Sequence, residues 1–208
     1  MDPSVQWTDQ SAEDYKDALL EAFRAQREER YSHLNDAQFE KLGLLVQDES
    51  EVIVIPGVEP STVEGYLFDI DLVPGAKPSM AQLPRMSPAE MAKERYHIEK
   101  EEALGHLRTP TDEQKSDWSC RCHVVHKKDD PMGRWICDFR ALNKSTIKRP
   151  TPIGDVPDKA RKLARKRWKS LLDALSGFNQ MGAKERAKRL LQIITHLGVR
   201  QWEVLPFG

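Results

Sequence analysis

Two stretches of the chain carry residue types that can do chemistry. The first runs from Lys127, Lys128 and Asp129 to Arg134, Asp138, Phe139, Arg140, Leu142 and Asn143. A lysine pair at a hairpin tip, with an arginine returning on the second strand, sets two or three cations over one side of a sheet. Such a group suits a triphosphate, because an ammonium is a compact point charge and a guanidinium is a planar fork that also stacks on a base. A solvated hairpin tip has the same pattern. The second stretch is Leu171-Leu172-Asp173-Ala174-Leu175-Ser176-Gly177-Phe178-Asn179-Gln180. A carboxylate at the end of an apolar strand stands at a sheet rim, where it can hold a hard cation, and a Ser-Gly step lets the backbone turn beneath it. A helix cap by Asp173 is the competing reading of the same residues.

Cys120, Cys122, His123 and His126 also fall close together. The C-x-C spacing is shorter than that of structural zinc sites, and in a Val-containing segment it reads as side chains alternating across a strand. With only Cys137 besides, and no secretory signal, reduced thiols are expected.

A net charge of -1 conceals a division of the chain. Residues 1–60 hold 14 Asp and Glu against 5 Lys and Arg, whereas residues 141–190 hold 14 Lys and Arg against 4 Asp and Glu. The block Lys159, Arg161, Lys162, Arg165, Lys166, Arg167 and Lys169 is what a phosphate-binding surface requires, since each neutralised phosphate releases condensed counterions. The alternative is a solvated helix face.

The elements that must position these groups follow from periodicity and punctuation. Helix-compatible spacing of Ala18, Leu19, Ala22, Phe23 and Ala25 predicts a helix over residues 12–41, and the β-branched run Val52–Ile55 predicts a strand that ends at Pro56 and Gly57. A boundary is expected near residue 60, with an acidic helical extension before it and a second unit over 61–208. Leu67, Phe68, Ile70 and Leu72 alternate as a strand. Ser87, Pro88 and Glu90 form a helix-start signature, and Gly105 supplies the stop. A strand pair follows, Ser119–His126 and Arg134–Arg140, with a turn through residues 129–133. A short basic amphipathic helix is expected over Val156–Lys166, a strand over Trp168–Asp173, and a last hairpin from Gln192–Thr195 and Trp202–Leu205 around Gly198. This alternation argues an α+β or α/β fold.

At 208 residues and 23.9 kDa there is room for one ordinary domain and a tail. Hydrophobic residues make up 39% and mean hydropathy is -0.64, so part of the chain is solvated. No apolar run reaches the length of a membrane span, and the acidic start at Met1, Asp2 and Pro3 is unlike a signal peptide. These features predict an intracellular protein of cytoplasm or nucleus, neither secreted nor membrane-bound.

Three blocks in order carry a family resemblance. Asp138-Phe139-Arg140-Ala141-Leu142-Asn143-Lys144, Leu172-Asp173 with Ser176-Gly177-Phe178, and Leu205-Pro206-Phe207-Gly208 resemble successive blocks of a reverse transcriptase of the gypsy-type LTR retrotransposon or retroviral class. Upstream, Phe68 to Pro78 and Asp117-Trp118-Ser119 are similar to the approach to the fingers of these polymerases. The resemblance covers about residues 66–208. It implies the α+β fold of fingers and partial palm in a right-hand polymerase, and template-directed DNA synthesis on an RNA or DNA template-primer from deoxynucleoside triphosphates. Position by position, Asp173 matches the first catalytic carboxylate, a ligand of divalent metal (Mg2+ or Mn2+), and Ala174 matches a carbonyl ligand. Lys127 corresponds to the γ-phosphate contact, Arg134 to the group over the incoming base and α-phosphate, Phe178 to the steric gate against a ribose 2′-hydroxyl, and Phe207 to the lining of the sugar pocket. Lys159, Arg161, Lys162, Arg165, Lys166 and Arg167 fall to the nucleic acid.

The sequence departs from the family at Leu190-Leu191-Gln192-Ile193, where a Lys-Thr-Ala-Phe segment is usual, and at Asp130-Pro131-Met132-Gly133, where a shorter turn is usual. The family's paired aspartates fall after Gly208, in the remainder of a pol polyprotein. The expectation is therefore a fragment, inactive alone because one carboxylate cannot hold two divalent cations. A non-catalytic nucleic-acid-binding remnant is the alternative, and an interaction scaffold built on the residue 12–41 helix is a third reading.

Overall fold

The computed structural model describes residues 9–55, 58, 60, 62–128, 130–150, 152 and 154–208. Contacts divide the chain into two units, residues 1–61 and 62–208.

The first unit is helical. Three helices, α1 (Asp9–Ala25), α2 (Arg27–Arg30) and α3 (Asp36–Asp48), replace the single helix expected over 12–41. Asn35 explains the break. Its side chain accepts from the Gln38 N–H at 2.9 Å while the Gln38 side chain accepts from the Asn35 N–H at 3.1 Å, so a fresh helix starts with its bare donors satisfied. Phe23 on α1 stacks on Phe39 of α3 at 4.7 Å, and the Arg27 guanidinium covers the outer face of Phe39 at 4.3 Å. Gly43 permits the close approach, since a Cβ there would stand 3.3 Å from Leu20 and Phe23. The run Val52–Ile55 is not a strand. The Tyr15 hydroxyl takes the place of a neighbouring strand, donating to the Ile53 carbonyl and accepting from the Ile55 N–H. The expected stop at Pro56 and Gly57 lies outside the described residues.

The second unit is a mixed sheet with helices against it. Its strands are β1 (Leu67–Phe68), β2 (Leu107–Arg108), β3 (Cys120–Lys127), β4 (Asp130–Cys137), β5 (Gly182–Ala183), β6 (Gln192–Thr195) and β7 (Gly198–Trp202). Five of them lie in the order β2-β7-β6-β3-β4, while β1 and β5 form a separate parallel pair. Of the expected Leu67–Leu72 strand, Leu67 and Phe68 form β1, and Leu72 makes an isolated antiparallel bridge to Thr146. The helices are α4 (Pro88–Ala103), α5 (Arg140–Ser145), α6 (Val156–Ala164) and α7 (Glu185–Leu190).

Helix α4 begins and ends where its signals predict. Ser87 and Glu90 form a capping box, Pro88 holds the first turn, and Gly105 follows the helix with φ +70°. The β3–β4 hairpin is tighter than expected. Residues 130–133 belong to β4, and the extra length is absorbed by a register shift between Val125 and Lys127. Gly133 (φ +73°) makes this possible, since a Cβ there would meet the Val125 carbonyl oxygen at 2.4 Å. Cys120 and Cys122 face the core while Arg121 and His123 face outward, the alternation expected of a strand. Strand β7 runs from Gly198 to Trp202, earlier than Trp202–Leu205, because a tight turn pairs Gly198 directly with Thr195, and its last two residues also pair with β2. Buried Ile98, Leu107, Trp118, Cys122, Leu142, Ile193 and Trp202 tie α4, α5 and the sheet into one core.

Candidate functional site

A cleft of about 210 Å³ opens among α4, the β3–β4 hairpin, β7 and the segment after it. Its walls are His97, Lys100 and Glu101 from α4, Lys127, Asp130, Gly133, Arg134, Trp135 and Cys137 from the hairpin, Asn179, Trp202 and Phe207. Neither Lys127 nor Arg134 has an ion-pair partner among the described residues. The two carboxylates of the cleft have structural duties: Glu101 lies 2.9 Å from His106 Nδ1, and Asp130 accepts from the Met132 N–H at 2.9 Å. The cleft is left with exposed cations at one mouth.

Its floor is unusual in a second way. Four buried side-chain polar atoms lack a hydrogen-bond partner among the described residues, and three of them, Trp135 Nε1, Trp202 Nε1 and Asn179 Oδ1, belong to residues lining this cleft. Leaving a buried donor or acceptor unpaired costs about 1–3 kcal/mol, and folded proteins tolerate few such groups, so these three are open to hydrogen bonds from water or a ligand in the cleft. A second cleft of about 230 Å³, lined by Phe68, Ile70, Phe139, Leu142, Leu205 and Pro206 among others, is the contrasting case. Its polar groups are occupied: Asp69 pairs with Arg186, Asn143 donates to the Gly208 carbonyl, and Thr146 donates to the Leu142 carbonyl.

Of the residues singled out from sequence, Lys127, Arg134 and Phe207 share the first cleft. Phe178 stands at its edge, packed edge-on against Phe207 with ring centroids 5.3 Å apart. The turn that presents Phe178 uses Ser176 at φ +47°, a rare conformation for a residue with a Cβ, and the small pair Ala174 and Gly177 that close beneath it. This is the sharp Ser-Gly turn expected from the sequence. The Asn179 N–H donates to the Ser176 carbonyl at 2.8 Å, and the Leu205 N–H donates to Met181 O at 2.8 Å, which binds this turn to the segment carrying Phe207.

Asp173 and Ala174 do not line the cleft. Residues 168–174 form neither the expected strand nor a helix cap; Leu171 and Leu172 are each 94% exposed, and Asp173 is exposed beside them. The physical reason is local. A strand needs a partner for its backbone and an apolar surface for at least one face, and among the described residues none pairs with this segment.

The basic block likewise stands apart from the cleft. Lys159, Arg161, Lys162, Arg165, Lys166 and Arg167 are all exposed, on α6 and the turn after it. Lys162 pairs with Asp158 at 2.8 Å, and the Arg167 guanidinium lies 5.5 Å from the Trp168 ring centroid. The apolar side of α6 is also open, with Val156 and Leu163 more than half exposed.

Two ion networks hold the frame of the site. Arg140 grips the Asp138 carboxylate through Nε and Nη2, both at 2.7 Å, with Arg121 further off, and this holds the Asp138 carboxyl well below the usual carboxylate range. Arg186 bridges Asp69 and Asp71, lowering both carboxyls, while Arg149 takes the other oxygen of Asp71 at 2.6 Å. His97, Lys100, Trp135, Asn179 and Trp202 were not foreseen as site residues. The one sequence signal is on α4, where Glu94, His97 and Glu101 share the face of buried Ile98 at helical spacing: polar side chains where apolar ones would suffice.

No protein-family model matches the chain. In sequence it is 36% identical over 75 residues to an RNA-directed DNA polymerase homolog of Oenothera berteroana, a match covering 36% of this chain and 53% of that one. It is 30% identical over 90 residues to the retrovirus-related Pol polyprotein from transposon 412 of Drosophila melanogaster, covering 41% of this chain and 7% of the polyprotein. The chain is related to retroelement reverse transcriptases. A similar match, 34% over 89 residues, links it to the Pol polyprotein from transposon opus of the same fly. The chain spans about half the length of the plant relative and less than a tenth of the polyproteins. In structure, a foamy viral protease-reverse transcriptase solved with dsDNA aligns with a TM-score of 0.62 and 16% identity over 93% of this chain and 36% of that one. The dRH form of that protein aligns at 0.57 over 95% of this chain and 32% of that one. The α+β fold is thus that of part of a reverse transcriptase. No helix among the described residues is long and apolar enough to cross a membrane.

Proposed function

We propose that this chain supplies the nucleotide-binding half of a reverse transcriptase active site: the fingers, with the first carboxylate of the palm, acting in template-directed DNA synthesis by a retroelement polymerase. The observation that carries the reading is the cleft in which, among the described residues, Lys127 and Arg134 stand without ion-pair partners beside the unpaired polar groups of Trp135, Trp202 and Asn179. Lys127 holds the terminal phosphate of an incoming deoxynucleoside triphosphate, and Arg134 lies over its base and inner phosphate. Phe207 lines the sugar, and Phe178, edge-on against it, fills the space of a 2′-hydroxyl.

Asp173 and the Ala174 carbonyl are hard oxygen donors, the ligand type that Mg2+ or Mn2+ takes, and the Asp173 carboxylate has no ion-pair partner among the described residues that would compete. A divalent ion held there supplies neutralisation of phosphate charge in nucleotidyl transfer. One carboxylate is too few for a pair of such ions, so turnover requires further carboxylates from another segment of the polymerase.

Binding of dATP to this chain tests the reading. Lys127→Ala combined with Arg134→Ala should weaken binding at least tenfold, and tripolyphosphate should compete. Phe178→Val should erase any preference for dATP over ATP. Equal binding by the unsubstituted chain and the double variant would sink the assignment of the cleft.

The full exposure of the basic residues of α6 favours a second reading, a nucleic-acid-binding remnant without catalysis. It predicts tight, salt-sensitive binding of RNA or DNA with no affinity for dATP.

A further inference from the structure

The hairpin that bears Arg134 lies at one edge of the sheet. Among the described residues strand β4 is the outermost strand and pairs with β3 alone, and the pairing itself shifts register between Val125 and Lys127. A cation used to orient a ligand needs a backbone held more tightly than that. Helix α4 shares a core with the hairpin through Ile98 and adds a polar hold through His97. His97 Nε2 donates to the Met132 carbonyl at 3.2 Å, and its ring lies parallel to Trp135, 6.2 Å away with 6° between the planes. Met132 and Trp135 are the residues two before and one after Arg134. Trp135 in turn leans on Trp202 of β7 at 5.9 Å, so a row of rings runs from α4 across the cleft floor to the inner sheet.

From this geometry we infer that His97 is a positioning residue for the nucleotide cleft: it clamps β4 on both sides of Arg134 and so sets where the guanidinium meets a triphosphate. The inference rests on the nucleotide reading above and extends it to a residue that does not touch the reacting atoms. Because a carbonyl only accepts, the Nε2 position must carry the proton. Neutral His97 is therefore the Nε2–H tautomer. The nearby ionisable groups on the cleft are Lys100 and Glu101 of α4 and Lys127, Asp130 and Arg134 of the hairpin; Glu101 is engaged by His106. Deleting the imidazole should open the clamp.

The test compares the full chain with His97→Ala and His97→Gln variants. Gln retains an N–H that can reach the Met132 carbonyl; Ala does not. For dATP binding, His97→Ala should weaken affinity about fivefold, the effect of one lost hydrogen bond, and His97→Gln should recover most of it. Amide exchange should quicken in residues 130–136 of His97→Ala alone, with exchange in β6 and β7 unchanged. Ala and Gln variants that bind dATP as the unsubstituted chain does, with unchanged exchange in β4, would overturn the clamp. If the unsubstituted chain binds no dATP, the nucleotide reading fails instead, and exchange in β4 still decides whether His97 grips the hairpin: faster in Ala and restored in Gln supports it, and no change refutes it.

Discussion

Replacing Gly133 by alanine puts the geometry of the hairpin to a quantitative test. Two costs are separable at this position. The backbone sits at φ +73°, and an L-residue held in the left-handed region loses about 1–2 kcal/mol. The new methyl would also lie 2.4 Å from the Val125 carbonyl oxygen and 2.9 Å from Val124 Cγ1, and the first of these is backbone that cannot rotate aside. Forcing a methyl into packed surroundings costs about 1–3 kcal/mol. The sum, about 2–5 kcal/mol, is a large fraction of the 5–15 kcal/mol that holds a typical domain together. Gly105 supplies the control. It has nearly the same φ, +70°, but nothing within 4 Å of its would-be Cβ, so Gly105→Ala should cost only the backbone part, about 1–2 kcal/mol. Urea unfolding followed by tryptophan emission gives both numbers, with dATP affinity as a second readout expected to fall for Gly133→Ala and not for Gly105→Ala. Equal destabilisation by the two substitutions, within ~0.5 kcal/mol, would refute the claim that the hairpin closes on Gly133 because no side chain fits there.

Three further outcomes are expected. Changing Lys162, Arg165 and Lys166 to alanine should lower the salt dependence of single-stranded nucleic acid binding by ~0.7 logarithmic units per lost phosphate contact, and an unchanged slope in a filter-binding titration would remove α6 from the interface. Asp138, held low chiefly by its hydrogen bonds to Arg140, contributes stability that is present above the unfolded carboxylate range near ~4 and is lost as pH falls below it. Asp138→Asn should therefore be less stable at neutral pH and show a flatter stability profile through acid, whereas an acid profile identical to that of the parent would contradict the ion-pair account. Burial pushes the Cys120 thiol up to about 12, so iodoacetamide at pH 8 should spare it in the folded chain and modify it in urea; native labelling at the rate of a free thiol would show the strand to be open.

Where the structure departs from the sequence reading, each departure has a definite cause. The helix expected over residues 12–41 was broken by a capping box at Asn35, a signal present in the sequence but outweighed by the absence of proline and glycine. The Val52–Ile55 run had strand composition, yet its backbone groups were taken up by the Tyr15 hydroxyl and by the Glu49 carbonyl at the end of α3. Trp168–Asp173 had the residues of a strand and, among the described residues, no neighbour to pair with, which no local pattern reports.

The sequence alone determined both ends of α4, the presence of the two hairpins though not the bounds of their second strands, the alternating burial of Cys120 and Cys122, and the placing of Lys127 and Arg134 across one turn. These depend on caps, turns and periodicity, whose contacts span a few residues and are written in adjacent letters. The floor of the cleft was decided only by the tertiary structure. His97, Trp135, Asn179 and Trp202 come from four separate parts of the chain, and they meet because burying Ile98, Cys122, Ile193 and Trp202 in one core brings α4, the hairpin and β7 together. A residue's own neighbours in sequence carry no record of such a meeting, since the free energy that enforces it comes from apolar surface buried between distant segments.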